Sequence, residues 1–456
     1  MSGDYAPPAA KWNSLPGTPF VTVSPGGLAD GYAPNNGANF GPDTPGTTTC
    51  GIQEALNSFG STGGVVRLLP GTYVTSPLTI GASVTIEGSG IATGWSEAND
   101  PSAPQVTTIL KLADGYAASL LTIGSAAAPF RGWSLRHLVL DGNKANQTGG
   151  SVLTTYSGNG FVLDCEVRNG YANGVEVLTQ TVFAGLTEDN RFIGCSVHDN
   201  TDSGYYFGYG DQQVLEGNSF NNGGDGVHLP SGSGAGGVSL TRLNTYGNGG
   251  DGVYIGSTAA APTSRVRIVG CYIDHNSKHG IEYVGPGADL IVAACTLWYN
   301  STGAAATYQH IQFDGTGGAP VGYSVLGCSF ADNAQNAIAF VNGANGEGVV
   351  MGGSTNLSMY VPQVGPRIVN VGGYNPQGFG ITTPAVPAGT GSANKVANTN
   401  PFPVRIYPVG ASGGHIIDPS GTDKALGVDP LELTLDPGAA YYVATTAPSA
   451  WLWYGV

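Results

Sequence analysis

CYIDHNSKHGIEY, residues 271–283, decides the fold, because its plan recurs along the chain. Cys165 opens CEVRNGYANGVEV, Cys195 opens CSVHDNTDSGYYF, Cys295 opens CTLWYNSTGAAAT and Cys328 opens CSFADNAQNAIAF. Two further copies, NSFNNGGDGVHL from Asn218 and NTYGNGGDGVYI from Asn244, read with Asn in the Cys place. Successive starts lie 30, 23, 26, 27, 24 and 33 residues apart, so the mean period, (328 − 165)/6, is about 27. A fixed period of that length marks a repeat architecture.

Each copy begins with a short apolar alternation, such as Val269, Cys271 and Ile273, which places these side chains on one face of a strand. Asn or a close polar residue follows, then a turn, a Gly and another short apolar strand. Asn and Gly tolerate the left-handed backbone that such turns need. Helical periodicity is absent. Strand, turn, strand and turn at constant length close one coil of a solenoid, and stacked coils put equivalent residues roughly 4.8 Å apart. The cysteines are then expected as an inward column of free thiols, not as disulfides or metal ligands, since a buried Cys behaves as a small hydrophobe. Asn200, Asn222, Asn248, Asn276, Asn300 and Asn333 form a second column, with amides hydrogen-bonded along the axis.

Working outward, GGVVRLLPGTY (63–73), LTIGASVTIEGSG (78–90) and LRHLVLDGN (135–143) read as earlier coils. Before them, CGIQEALNSFG (50–60) is an amphipathic helix. Ile52, Ala55, Leu56 and Phe59 share a face and Gly60 stops it, so the helix would cap an aggregation-prone open end. Residues 1–40 are Pro/Gly-rich and expected to be extended. The repeat fades after about residue 345. PFPVRIYPV, LELTL, AAYYVAT and WLWYGV then alternate between turns such as DPSG and DPG, which predicts a small antiparallel β-sandwich. The expected all-β organisation is an N-terminal arm and capping helix (1–62), a parallel β-helix solenoid (63–370), a linker (371–397) and the sandwich (398–456).

Composition narrows the function. Of 456 residues, 74 are Gly, without the three-residue period of collagen. The 41% hydrophobic content argues against disorder. Sixteen Lys+Arg against 31 Asp+Glu give a net charge of −15, which disfavours nucleic acid as a partner. No stretch of 18 apolar residues is present, so no membrane insertion is expected. Residues 1–17 show neither a basic nor an apolar signal region, so the chain is expected to fold in a cytoplasm.

The run from Asp43 to Tyr73, with IQEAL, GGVV and LPGTY, resembles the opening of pectate-lyase-like right-handed parallel β-helices, and LDGN (140–143) is common among them. The ending, NPFPVRIYPV, LDPG and APSAWLWYG, resembles small C-terminal domains on β-helical proteins of tailed phages. Together these resemblances imply a virion protein (a tailspike, fibre or capsid decoration protein). They further imply a homotrimer that contacts other virion proteins and is assembled in the host cytoplasm; the alternative is an extracellular protein.

Chemistry would sit where equivalent positions align. The residue before the repeat Gly is Asn173, Ser203, Asp225, Asp251, His279, Gly303 and Asn336 in successive copies. His228, Tyr254 and Glu282 fall three places further on, with Tyr206 ahead of them; Val227 and Leu229 point in, so these residues face out. Neighbouring carboxylates split their pKa values into an acid and a base, as glycosidases require. Asp225, Asp251, His279 and Glu282 are therefore the candidate catalytic groups. Tyr206, His228, Tyr254 and Lys278 are the candidate substrate contacts. The plainer alternative is that Asp-Gly is an ordinary turn dipeptide. The adjacent Asp pairs with Gly-His-Gly of polygalacturonases are missing, as is an acidic calcium cluster beside Lys278, so no cofactor or metal is expected. Glu216 and Arg242 should pair across coils, His198 and His275 read as solvated turn residues, and Trp451 and Trp453 as packing. Two functions follow: a structural virion protein engaging host-surface polysaccharide, or a polysaccharide-degrading enzyme, a glycoside hydrolase or lyase.

Overall fold

The computed structural model describes residues 19–26, 37–91, 107–180, 188–231, 236–320, 322–332, 334–344, 348–355, 359–360, 390–398, 404–409, 412–426, 433–446 and 450–455. Parallel strand pairing runs from Phe20–Val23 to Met359–Tyr360. A coil contributes three short strands. In one coil these are Gln213–Leu215, Asn218–Phe220 and Val227–Leu229. A left-handed residue, here Glu216 with φ 56°, separates the first strand from the second. Third strands stack into one sheet of 11 parallel strands, while first and second strands join in a sheet of 21. The chain is a right-handed parallel β-helix.

Burial follows the period-two pattern. Val227, Leu229, Val253 and Ile255 are fully buried, whereas His228 and Tyr254 between them are half-buried and face out. Cys165, Cys195, Cys271, Cys295 and Cys328 are buried and free. Burial pushes the Cys195 thiol up to about 12 and the Cys165 thiol well above its usual value, so both stay protonated. One alignment needs correction. Asn218 and Asn244 pair in register with Ser196 and Tyr272, one residue beyond the Cys position, which Gly217 and Leu243 occupy instead. A one-residue slip along a strand moves a side chain to the other face. Accordingly Asn218 and Asn244 lie outside and bond to each other, Asn244 Nδ2 to Asn218 Oδ1 at 3.0 Å.

The inner Asn column is continuous. Asn200 donates to Asn222 at 2.8 Å, Asn222 to Asn248 at 3.0 Å, and Asn248 to Asn276 and Asn276 to Asn300 at 2.9 Å each. Asn300 Nδ2 also meets His310 Nδ1 at 3.1 Å; Asn333, the next expected member, lies outside the described residues. The repeat glycines exist because this ladder passes close by. A Cβ on Gly226 would sit 2.1 Å from Thr245 Oγ1, 2.6 Å from Gly252 O and 2.9 Å from Asn248 Nδ2. Gly226→Ala is therefore expected to cost roughly 1–3 kcal/mol, the usual range for overpacking, read as a lowered melting temperature.

At the N-terminal end, the helix Ile52–Asn57 buries Ile52, Ala55 and Leu56 in the same core. The Gln53 amide bonds both Thr79 O at 3.0 Å and Thr79 N–H at 2.9 Å, occupying backbone groups of the first third-strand, Leu78–Ile80. Phe20–Val23 pairs alongside Gly64–Leu68, so this part of the arm joins the sheet. Among the described residues between 396 and 455, strands form two antiparallel sheets of four and three strands, and Ala450–Gly455, which holds Trp451 and Trp453, pairs with Val404–Val409. The expected linker, 371–397, lies largely outside the described residues.

Candidate functional site

In the third-strand sheet one outward position repeats from coil to coil. Strand pairing sets Tyr206, His228, Tyr254, Glu282 and Gln312 in a single column. Their spacing makes the rings stack on one another: Tyr206 on His228 at 5.4 Å and 7°, and His228 on Tyr254 at 4.7 Å and 14°. Rings that face each other offer a ligand their edges and hydroxyls, not a broad π face. This column is thus a row of hydrogen-bonding groups.

Beside it runs the row that precedes each third strand: Asn173, Ser203, Asp225, Asp251, His279, Gln309 and Asn336. The sixth member corrects the sequence alignment, which put Gly303 there. Six residues, Gly303–Tyr308, are inserted in that coil, so the true equivalent is Gln309, whose N–H meets the His279 ring. The apolar alternation Ile311 and Phe313 was the better guide than the first available Gly.

From Asn173 to His279, each side chain in this row accepts the backbone N–H of the next coil, and Gln309 Oε1 accepts the Asn336 amide at 2.9 Å. Asn173 Oδ1 takes Ser203 N–H at 3.1 Å, Asp225 Oδ1 takes Asp251 N–H at 2.7 Å, and Asp251 Oδ1 takes His279 N–H at 2.7 Å. Gln309 N–H closes on His279 Nδ1 at 2.9 Å. The row therefore has a structural duty whichever polar residue fills it. Asp225 is fully committed, because its Oδ2 bonds His228 Nδ1 at 2.6 Å.

Asp251, His279 and Glu282 converge, with one ligand atom of each within 4.8 Å of the others. Asp251 and His279 are buried, and the Glu282 side chain is 17% exposed. Burial, followed by the charges of Glu282 and Asp225, pushes the Asp251 carboxyl well above the usual carboxylate range. Burial also raises Glu282. The two carboxyls lie within 4.8 Å of each other, so each disfavours the other's charge and their protons come off as those of a pair. Gln312 Nε2 donates to Glu282 Oε1 at 2.9 Å, which helps to hold Glu282 as the anion. Carboxyls this close act as a dyad, not as the separated pair of a typical glycosidase.

The trio does not suit a cation. His279 Nδ1 accepts a backbone N–H, so in the neutral ring the proton sits on Nε2, which faces Glu282 Oε1 at 3.8 Å. An Nε2–H is a donor and has no lone pair for a metal. Burial depresses His279 to about 4, so the ring is neutral near pH 7. Lys278 is exposed beside it, and its charge lowers Glu282. The structure also adds residues that the sequence reading missed: Gln309, Gln312 and Tyr308, whose ring meets His279 edge-on at 5.0 Å.

Buried imidazoles give a signed pH dependence. His279 and His310 are both depressed to about 4, chiefly by burial. The unfolded chain binds their protons first, so their contribution is complete above pH about 6.5 and is lost as pH falls towards 4, roughly 3 kcal/mol per ring. Asp251 and Glu282 have the opposite sign: their raised values favour the fold at low pH and the benefit is lost as pH rises through them. Thermal melts in small pH steps should show the acid-side slope shrink in His310→Asn. Asp251→Asn should remove the loss on the upper side.

Elsewhere, Glu216 pairs with Arg242 at the surface as expected. His275 is exposed and bonds Asp274 at 2.6 Å. His198 is not a solvated turn residue: it lies in Ser196–His198, bonded to Asp199 at 2.8 Å and Glu166 at 3.2 Å, and these carboxylates raise its pKa against burial.

Fold and row together define a right-handed β-helix protein with a polar outward column on its third-strand sheet. Residues 134–258 match the family model of the right-handed β-helix region. No curated protein matches the chain in sequence. Among solved structures, it is similar to the A-module of the mannuronan C-5 epimerase AlgE4 of Azotobacter vinelandii, at 18% identity and TM-score 0.54, covering 76% of this chain and 90% of that one. It is also similar to tailspike protein 2 of the Escherichia coli O157:H7 bacteriophage CAB120, at 12% identity and TM-score 0.54, covering 91% and 61%. A third is tailspike protein gp49 of the Acinetobacter baumannii bacteriophage Fri1, a capsular polysaccharide depolymerase, at 10% identity and TM-score 0.51, covering 89% and 84%. At these identities the likeness is one of fold. Among the described residues, no helix is long and apolar enough to cross a membrane.

Proposed function

We propose that this chain is a virion protein of a tailed phage that engages host-surface polysaccharide along its third-strand sheet. One observation carries the reading: five consecutive coils, Tyr206 to Gln312, present a phenol, an imidazole, a phenol, a carboxylate and an amide in one straight file. Such a file suits the regularly spaced hydroxyls of an extended glycan. The tailspike folds above support the placement in a virion, and with it assembly as a homotrimer in the host cytoplasm and attachment to other virion proteins. Binding is tested by titrating the protein with purified capsular polysaccharides from a strain panel. At least one should bind, and Tyr254→Ala with Gln312→Ala should abolish that binding; an unchanged affinity refutes the site.

Cleavage is the second reading, and the Asp251–Glu282 dyad favours it. A neutral acid close to a carboxylate is a proton donor and acceptor held in one place. Asp225 then orients His228, His279 donates towards Glu282, and Lys278 and the tyrosines position the chain. Size-exclusion chromatography of the bound polysaccharide, before and after incubation, separates cleavage from binding alone.

A further inference from the structure

We infer that the corner formed by Trp298 and Tyr299, on the second-strand sheet and away from the row above, is a binding site for a neutral sugar ring. The argument begins with the backbone. At the end of each second strand sits a left-handed residue: Asn169, Asp199, Asn221, Gly247, His275, Tyr299 and Asp332, with φ between 48° and 66°. Asn, Asp, Gly and, to a lesser degree, His take up that position at little cost, whereas a bulky ring such as Tyr is an outlier there. Two consecutive coils carry His275 and Tyr299, stacked at 5.1 Å and 7°. A ring placed against its backbone preference marks a position kept for what the ring contacts.

The surroundings show what it contacts. Trp298 and Tyr299 are both 38% exposed, rare for large apolar side chains among the described residues. Their rings stand 5.2 Å apart at 73°, so they form two walls of a corner. Strand pairing puts Asp274 on one side of Trp298 and Ala331 on the other. Three and two coils away on the Asp274 side, Phe220 and Tyr246 stack on each other at 4.9 Å, but on the far side of Trp298 the ladder offers only the methyl of Ala331. Trp298 Nε1 donates to Asp332 Oδ2 at 3.3 Å, which fixes the indole.

Two aromatic walls beside the Asp274 and Asp332 carboxylates match a pyranose: its C–H face packs on a ring and its hydroxyls donate to the acids. The same carboxylates, on a chain of net charge −15, disfavour an anionic saccharide. They also disfavour a second copy of this chain at this corner, which would bring like charges together.

The test uses the full chain with cellohexaose, maltohexaose and chitohexaose, and with a hexamer of galacturonate as the anionic control, read by calorimetry and tryptophan fluorescence. At least one neutral hexasaccharide should bind at millimolar or tighter affinity, and the galacturonate hexamer more weakly. Trp298→Ala and Tyr299→Asn should each weaken binding at least tenfold, while Tyr254→Ala with Gln312→Ala leaves it intact; this distinguishes the corner from the third-strand site. Tyr299→Asn should keep or raise the melting temperature, because Asn suits the left-handed position. The inference is overturned if no neutral hexasaccharide binds or if both corner variants bind normally. It is equally overturned if Tyr299→Asn melts lower, or if Trp298→Ala turns an oligomer into a monomer.

Discussion

Asn248→Leu is expected to destabilise the solenoid by roughly 3–5 kcal/mol, since each buried group left without its partner costs about 1–3 kcal/mol. Asn248 is fully buried at the centre of the ladder. Its Oδ1 accepts both the backbone N–H and the Nδ2 of Asn222, and its Nδ2 donates to Asn276 Oδ1, Thr245 Oγ1 and Ser219 O. A leucine of similar size satisfies none of these, and the nearby Gly226 and Gly252 leave no room to rearrange. The matching control is Asn218→Leu on the outer face, expected below about 1 kcal/mol because water can replace its partners. In a repeat array each coil depends on its neighbours, so hydrogen exchange should show protection lost on the flanking coils as well. Equal effects of the two variants would refute the ladder as a principal source of stability.

Glu282→Gln is expected to lower any polysaccharide cleavage by about 10²- to 10⁴-fold, the usual worth of a positioned acid–base group. Glutamine keeps the size and one acceptor but cannot take up a proton. Asp251→Asn should match it in rate, and the double variant should fall little further, because groups acting as one unit are not additive. Binding should survive in both, separating chemistry from recognition. Asp225→Asn is the informative contrast: both its oxygens are already engaged, so its loss should fall on His228 and the Asp251 backbone rather than on the proton itself. Full activity in Glu282→Gln would refute the dyad.

The solenoid was legible because it rests on local rules repeated at one period. Cys271 and Cys295, read in the same context, do become buried neighbours one coil apart. The slip at Asn218 and Asn244 arose because Gly217 and Leu243 stand where the other copies carry Cys, and Asn looked like the nearest polar stand-in. Only strand pairing settles such a register. The row from Asp225 to His279 was also legible, since stacking turns period into contact. What remained hidden was the direction of the hydrogen bonds. No sequence shows that His279 Nδ1 accepts Gln309 N–H, and that one bond turns a metal-like trio into a donor–acceptor set. Nor does a sequence show that Tyr206, His228 and Tyr254 cover one another's faces. The Trp298–Tyr299 corner was missed because its signal, an aromatic ring at a left-handed position, depends on backbone angles.

Electron cryo-microscopy of the protein with an oligosaccharide cut from a capsule that it binds tests the central claim most directly. Sugar density should run across the five coils from Tyr206 to Gln312, with hydroxyls within hydrogen-bond reach of Glu282. Density elsewhere with that file bare, at saturating oligosaccharide, would contradict the account.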